Sequence, residues 1–191
     1  MAGLITNGLP QMAQPTGAEQ TYFDTNLSQG SAPQDAMSSL SELAIILRQQ
    51  GSSIDKTTVA GTRYYRSVVI GSQKTLTGIS VLVGGTGGTD NWIVELHDVN
   101  GNLVATSTTS GTAAGTANNW QQIAFTATYT AVPGTYYVAV QSNGTTAKFA
   151  VLDSPVSSLT AGSATGTFGT GAAITPPTTY TVNLGPMALP Y

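Results

Sequence analysis

The chain contains no cysteine, and only 8% of its 191 residues are charged. The lack of cysteine excludes disulfides and thiolate metal sites, and it fits a protein that is kept in a reducing compartment. Soluble domains usually contain about 25% charged residues, so the polar surface here must come from uncharged side chains such as threonine, serine, asparagine and glutamine. Such a surface is typical of β-proteins and of proteins that pack against other proteins.

Clustered basic residues and long apolar runs are also missing. The six lysine and arginine residues are scattered and the formal net charge is −3, whereas nucleic-acid binding needs clustered cations that displace phosphate counterions. No apolar run reaches the length of about 18 residues that indicates a membrane span. The N-terminal residues MAGLITNGLPQMAQ lack the basic and apolar regions of a signal peptide. We therefore expect no nucleic-acid partner, no membrane association and assembly in the cytoplasm.

The N-terminal part of the chain, residues 1–55, differs in pattern from the rest. Residues 1–35 contain three prolines and no sustained periodicity, which predicts an extended arm. A short helix is predicted at about residues 39–50, because Ser39 and Glu42 have the capping-box spacing. Neither the arm nor the helix has a core of its own, so both need another surface to order them. The apolar stripe of the helix consists of Leu40, Leu43, Ala44 and Leu47.

From about residue 56 to 191, apolar and polar residues alternate with the period of β-strands. About eight short strands separated by glycine, threonine and asparagine turns predict a mainly β fold, an antiparallel β-sandwich or jelly roll. Asn100-Gly101 predicts a two-residue type I′ hairpin. Residues 160–178 form a long low-complexity stretch, which favours a binding or contact loop. The predicted strands are RYYRSVVIG, TLTGISVLVG, NWIVELHDV, NLVATST, WQQIAFTATYT, TYYVAVQS, AKFAVLD and TYTVNLG.

The most suggestive chemical group is the single histidine, His97, which lies between the acids Glu95 and Asp98. On a strand, Glu95 and His97 point to one face and Asp98 to the other. Trp92 and Leu96 form the better core face, so Glu95 and His97 are expected to point outward or into an interface. A Glu-x-His pair could supply two metal ligands, but the sequence nominates no third. We interpret the pair as a subunit contact, sensitive to pH through His97.

Other signatures of catalysis are weak. The chain has no Gly-x-Ser-x-Gly elbow and only one histidine to act as a base, and most of its nine acids fall in the arm, the helix or predicted turns. We therefore predict no catalytic residue, no metal, no cofactor and no enzymatic activity, and we keep an enzyme centred on Glu95 and His97 as the weakest hypothesis. Exposed aromatic residues could instead form a sugar-stacking platform; the candidates are Tyr64, Tyr65, Trp92, Trp120, Tyr136 and Tyr137.

Residues 16–35 and 57–191 resemble structural proteins encoded in the head-gene region of tailed bacteriophages. The arm segment TGAEQTYFDTNLSQGSAPQ is similar to N-terminal segments of phage virion proteins. In the domain, the resemblance lies in LTGISVLVGGTGGTDNWIVEL, YYVAVQSNGTTAKF and ITPPTTYTVNLGPMALPY. The resemblance lies in the general residue pattern and spacing and includes no catalytic motif. It therefore identifies no functional residues.

The resemblance implies a capsid cement or decoration protein, a jelly-roll domain on the outer surface of the virion head with an arm that reaches over neighbouring subunits. The implied partners are the major capsid protein and further copies of the chain, as a trimer or a dimer. The alternative is a sandwich module that binds a glycan or the host surface through exposed aromatic residues and the 160–178 stretch. We take as candidate contact residues Tyr22, Phe23, Leu40, Leu43, Leu47, Glu95 and His97.

Overall fold

The computed structural model describes residues 53–153 and 159–191. The predicted arm and helix lie outside the described residues, and so do the candidate contacts Tyr22, Phe23, Leu40, Leu43 and Leu47. In the described part of the chain, no helix is long and apolar enough to cross a membrane. The strands are β1 (Ser53–Thr57), β2 (Arg63–Ile70), β3 (Lys74–Leu82), β4 (Asn91–His97), β5 (Leu103–Thr106), β6 (Thr112–Ala113), β7 (Trp120–Ala131), β8 (Gly134–Ser142), β9 (Lys148–Leu152), β10 (Ala161–Ala164) and β11 (Ala188–Pro190).

The strands form antiparallel sheets in a β-sandwich-like arrangement, which confirms the predicted mainly β class. The first sheet has the order β10-β2-β8-β4-β5, with β6 also paired to β4, and the second has the order β11-β3-β7. Strands β1 and β9 pair with each other, and bridges from β9 to Val83 and Pro186 place this pair beside the second sheet. Strands of both sheets contribute to one apolar core, which includes Val68, Val94, Val138, Ile79, Ile123 and Phe149.

Seven of the eight predicted strands are present, and one prediction was wrong. Residues 179–185 form turns around a single bridge at Tyr180, because Asn183 takes a left-handed backbone conformation (φ 65°) that ends any extended run. The structure also contains β1, β6, β10 and β11, short strands without a clear alternation. Since Ser53 already pairs with Leu152, β-structure begins before the predicted boundary at residue 56.

The hairpin between β4 and β5 is present, but its predicted two-residue type I′ turn was wrong. The amide of Gly101 donates to the carbonyl of Asp98, and the amide of Asp98 donates to the carbonyl of Asn102. Of the two central residues predicted to need a positive φ, only Gly101 has one, at 84°. The connection is therefore a three-residue loop, a type I turn followed by a left-handed glycine, and a register shift follows it in β5.

Residues 159–191 cover the outer face of the first sheet and part of the outer face of the second layer. Over the second layer, Leu159 and Met187 pack with Ala150 and Leu152 in a separate apolar cluster. Arg66 of β2 is buried and donates to the carbonyls of residues 186 and 188, at 2.8 and 2.7 Å. The first sheet is covered by residues 165–176, which we call the covering segment.

Candidate functional site

The face of the first sheet that points away from the core carries polar side chains from three adjacent strands. Residues on β2, β8 and β4 form three cross-strand rows, so that alternate residues of each strand share this face. The central row has a small residue on the middle strand, and the outer rows carry the larger polar groups. The rows are Arg63, Gln141 and Ile93; Tyr65, Ala139 and Glu95; and Ser67, Tyr137 and His97.

The covering segment binds this face through its main-chain oxygens. Arg63 Nη2 donates to the carbonyl of Thr170, and Gln141 Nε2 donates to the carbonyl of Thr167 at 3.4 Å. The hydroxyl of Tyr65 donates to a third carbonyl of the segment, that of residue 175, also at 3.4 Å. The acceptors in these bonds are backbone carbonyls, which every residue has. A segment made mostly of small side chains can therefore still bind the sheet.

One apolar side chain anchors the covering segment. Ile174 is buried and packs with Tyr65, Tyr137 and Ala139 on the sheet. Its amide also donates to the carbonyl of Gly101 in the β4–β5 turn, at 2.9 Å. A Cβ atom on Gly101 would overlap the carbonyl oxygen of Ile174. The turn and the segment are therefore in direct backbone contact.

Beneath the covering segment lies a buried ionic cluster. Arg63 Nε donates to Glu95 Oε2 at 2.7 Å, and His97 Nε2 lies 3.2 Å from the same oxygen. Arg63 and Glu95 are on strands separated by β8, and neighbouring strands lie about 4.8 Å apart. The two side chains lie in adjacent rows and meet diagonally across β8, past Ala139, which is opposite Glu95, fully buried and too small to block the contact.

Two titratable neighbours of the cluster have shifted pKa values. Burial raises the pKa of Tyr65 above its usual value, and the nearby Tyr137 adds to the shift. The pKa of Asp98 is lowered, chiefly because the side chain of Asn102 donates a hydrogen bond to its carboxylate, with further bonds from backbone amides of the turn. Asp98 thus uses its carboxylate to close the turn, as expected for a residue on the other side of the strand from His97.

The structure brings the two predicted residues Glu95 and His97 together, on the face away from the core, as the alternation predicted. It does not expose them: they are 1% and 0% exposed, because the covering segment lies on top of them. Their predicted role as a subunit contact stays a prediction. In this conformation neither side chain has surface to offer a second subunit.

Sequence reasoning missed Arg63 and Gln141, which complete the cluster. Gln141 Nε2 donates to the carbonyl of Gly61 at 2.6 Å, which ties the start of β2 to the same site. A signal for Arg63 was available, since a cation inside a strand rich in aromatic and apolar residues requires an acid on a neighbouring strand. Glu95 is the one acid that lies well inside a predicted strand.

The aromatic platform considered from the sequence is mostly buried. Tyr64, Tyr65, Tyr136, Tyr137 and Trp92 all pack in the interior or beneath the covering segment. Adjacent tyrosines do point to opposite faces, but both faces of the first sheet are covered. Trp120, which is 38% exposed at the start of β7, is the candidate that remains accessible.

The cluster has few chemical functions open to it, because the covering segment encloses Glu95 and His97. Glu95 Oε2 accepts from Arg63, and Arg63 also donates to the carbonyl of Thr170. The described residues contain no group of three or more histidine, cysteine, aspartate or glutamate side chains placed to hold a metal. The arrangement suits an electrostatic role that fixes the covering segment to the sheet.

Comparisons with known proteins add no relative. No family model matches the chain, and no curated protein or solved structure matches it. The function is therefore inferred from the residues of the chain itself.

Proposed function

We propose that the chain is a structural virion protein, a cement or decoration protein that binds the outer surface of a phage head and bridges neighbouring major capsid protein subunits. The proposal rests on the resemblance of residues 16–35 and 57–191 to phage head proteins. It includes assembly in the host cytoplasm and association of several copies, as a trimer or a dimer. It also assigns no catalytic role to the buried cluster.

The observation that carries the proposal is an uncharged sheet face that stays exposed among residues 53–153 and 159–191. On β7 and the adjoining part of β3, the side chains that alternate with the core residues Ile123 and Phe125 are exposed. At the edge of this face the amide and the hydroxyl of Thr77 donate to the carbonyl of Tyr191, and Thr77 remains exposed. We call this face the threonine face; it consists of Thr75, Thr77, Gln122, Ala124, Thr128 and Thr130.

An uncharged polar face suits a permanent contact with another protein. Burying hydroxyls and methyl groups has a much smaller desolvation cost than burying ions, provided that the hydroxyls find partners. The face lies on two paired strands whose register shifts between Leu76 and Gly78, and its paired parts lose little conformational entropy when the face docks. A capsid surface of complementary shape would bind here without needing charge complementarity.

The finer assignment of the fold as a jelly roll belongs to the same proposal. The chain crosses from the first sheet to the second between β2 and β3, returns at β4, crosses again between β6 and β7, and returns at β8. As a result β8 lies between β2 and β4 in the first sheet. Repeated crossing of this kind supports a Greek-key connection, the element from which jelly rolls are built.

Binding to expanded heads tests the proposal. We expect the double variant Thr128→Glu/Thr130→Glu to bind isolated heads at least about tenfold more weakly than the wild type, because it would bury two unpaired carboxylates. Removal of residues 1–35 is expected to leave a folded β-domain that no longer decorates heads. Cosedimentation with heads measures both effects, and circular dichroism checks the fold.

The matched control is Thr165→Glu, which adds a charge to an exposed threonine of the covering segment, on the opposite side of the sandwich. It should bind heads as the wild type does. Wild-type affinity of both the truncated chain and the double variant would refute the proposal.

The second candidate function, binding of a glycan or of the host surface, is supported by the exposed indole of Trp120. An indole at a strand end offers a flat apolar surface on which a sugar ring can stack. If this function is correct, glycan-array binding is expected to disappear in Trp120→Ala and to persist in Trp120→Tyr. Binding that is unaffected by Trp120→Ala, or no binding by the wild type, would exclude this role for Trp120.

A further inference from the structure

Both ring nitrogens of His97 face hydrogen-bond acceptors. Nε2 lies 3.2 Å from Glu95 Oε2, and Nδ1 lies 3.3 Å from the carbonyl oxygen of Gly101. A neutral imidazole has one N–H and one bare lone pair, whereas an imidazolium has two N–H groups. A neutral ring would therefore point a lone pair at one of these two oxygens, in a site with no exposed surface.

The Glu95 oxygen is not able to supply the missing proton. Arg63 Nε donates to the same atom, Oε2, at 2.7 Å. A carboxylate oxygen that accepts a charge-assisted bond from a guanidinium carries negative charge. The carbonyl of Gly101 has no proton to give. Only protonation of the ring satisfies both contacts.

The remaining surroundings of His97 contain little else that titrates. Its cross-strand neighbours are Tyr137 on β8 and Leu103 on β5. Arg63 of β2 reaches it through Glu95, and Asp98 lies on the opposite face of the strand. The covering segment contains no charged residue. The charge of the ring is therefore set by Glu95, Arg63 and the carbonyls that point into the cluster.

We propose that His97 is held as a doubly protonated imidazolium and that its proton latches the covering segment to the sheet. The carbonyl of Gly101 links the two, because it accepts from His97 Nδ1 and from the amide of Ile174. While the ring is charged, both bonds draw this carbonyl toward the cluster and the segment stays docked. When the ring loses one proton, the proton facing Glu95 remains and the Nδ1 lone pair repels the carbonyl.

The sign of the pH dependence follows from this arrangement. The stabilisation is present as long as the ring carries two protons, and it is lost as rising pH removes one of them. Loss of the latch loosens the turn and the anchor at Ile174. Opening of the segment would then uncover the polar face that holds Arg63, Glu95 and Gln141.

Nuclear magnetic resonance on the intact chain tests the proposal. His97 is the only histidine, so the two imidazole nitrogen signals need no assignment by mutation. While the segment is docked, both nitrogens are expected to carry protons, because each faces an acceptor oxygen. As the pH rises and the ring loses one proton, the exchange protection of the Ile174 amide, corrected for the intrinsic rate, is expected to fall about tenfold, the weight of one charge-assisted hydrogen bond. Protection of the core amide of Val140 should not change.

A pair of variants separates the latch from a general effect of charge. Glu95→Gln keeps the size of the side chain but removes its charge. The His97 ring of this variant is expected to be neutral under conditions in which the wild-type ring carries two protons, and its Ile174 amide to be less protected. Asp55→Asn removes an acid on β1 that pairs with Lys148, away from the cluster, and should leave both ring protons in place. A neutral ring in the wild type, or unchanged Ile174 protection across the ring's deprotonation, would overturn the proposal.

Discussion

Replacement of Glu95 by leucine is expected to lower the free energy of unfolding by about 3–5 kcal/mol, because Arg63 would be left buried without its carboxylate partner. Both side chains of the pair are almost completely enclosed, so water cannot replace the lost partner. His97 would lose the same oxygen. Urea denaturation followed by circular dichroism measures the change, with the slope of the transition checked for a change in the unfolded state.

The double variant Arg63→Met/Glu95→Leu is the control for this prediction. Replacing a whole buried ion pair by apolar side chains of similar size is often neutral or stabilising, so the double variant should recover most of the loss. Arg63 also holds the carbonyl of Thr170, and proteolysis within the covering segment should therefore remain faster than in the wild type. A double variant as unstable as the sum of the single variants would show that the ion pair is not the source of the effect.

The sequence predicts most strands of the first sheet. It does not predict that the covering segment buries Glu95 and His97. Alternation in the stretch 92–97 correctly places Trp92 and Leu96 in the core and Glu95 with His97 on the other face, because a strand fixes which residues share a side. What covers that other face is a non-local question. The covering segment consists mainly of glycine, alanine and threonine, and it binds through its carbonyls, which every sequence has.

The contact between Arg63 and Glu95 was hidden for a related reason. It runs diagonally across an intervening strand, past a small residue, Ala139, that is opposite Glu95. No local pattern reports which strands become neighbours, and the order β2-β8-β4 does not follow the order of the chain. The type of the hairpin turn was mispredicted for a similar reason. Asn100-Gly101 identifies where the turn lies, while hydrogen bonds between Asp98, Gly101 and Asn102 decide its type.

Strand β2 contains two of the few cations of the chain, Arg63 and Arg66. Its two arginines are both buried, and they hold the C-terminal third of the chain from opposite faces of one strand. Arg63 binds Thr170 in the covering segment, and Arg66 binds the carbonyls that precede and begin β11. Guanidinium groups suit this role because they offer several donors in a fixed geometry. A chain with so few cations thus uses two of them to fasten two different parts of its C-terminal third.

Replacement of Phe149 by alanine is expected to lower the free energy of unfolding by about 3–5 kcal/mol through loss of buried surface and formation of a cavity. Phe149 lies on β9, beside the second sheet, and its ring makes edge contacts with Tyr64 and Trp92 of the first sheet, at centroid distances of 5.4 and 6.0 Å. The side chain thus joins the two layers at a point where all three rings are buried. Trp92 Nε1 has no hydrogen-bond partner among the described residues, so packing alone positions the indole.

Thermal and urea unfolding followed by tryptophan fluorescence measure this loss, since Trp92 reports directly on the cavity. Phe149→Leu keeps most of the volume and should lose less than about 1.5 kcal/mol. Val132→Ala removes apolar atoms from a side chain that is 59% exposed, and it should change stability by no more than about 0.5 kcal/mol. If Phe149→Ala lost no more than the exposed control, the two layers would not share a core at this ring. The covered face of the first sheet would then depend on the ionic cluster and the covering segment for its support, and the Glu95 variants would be the more damaging set.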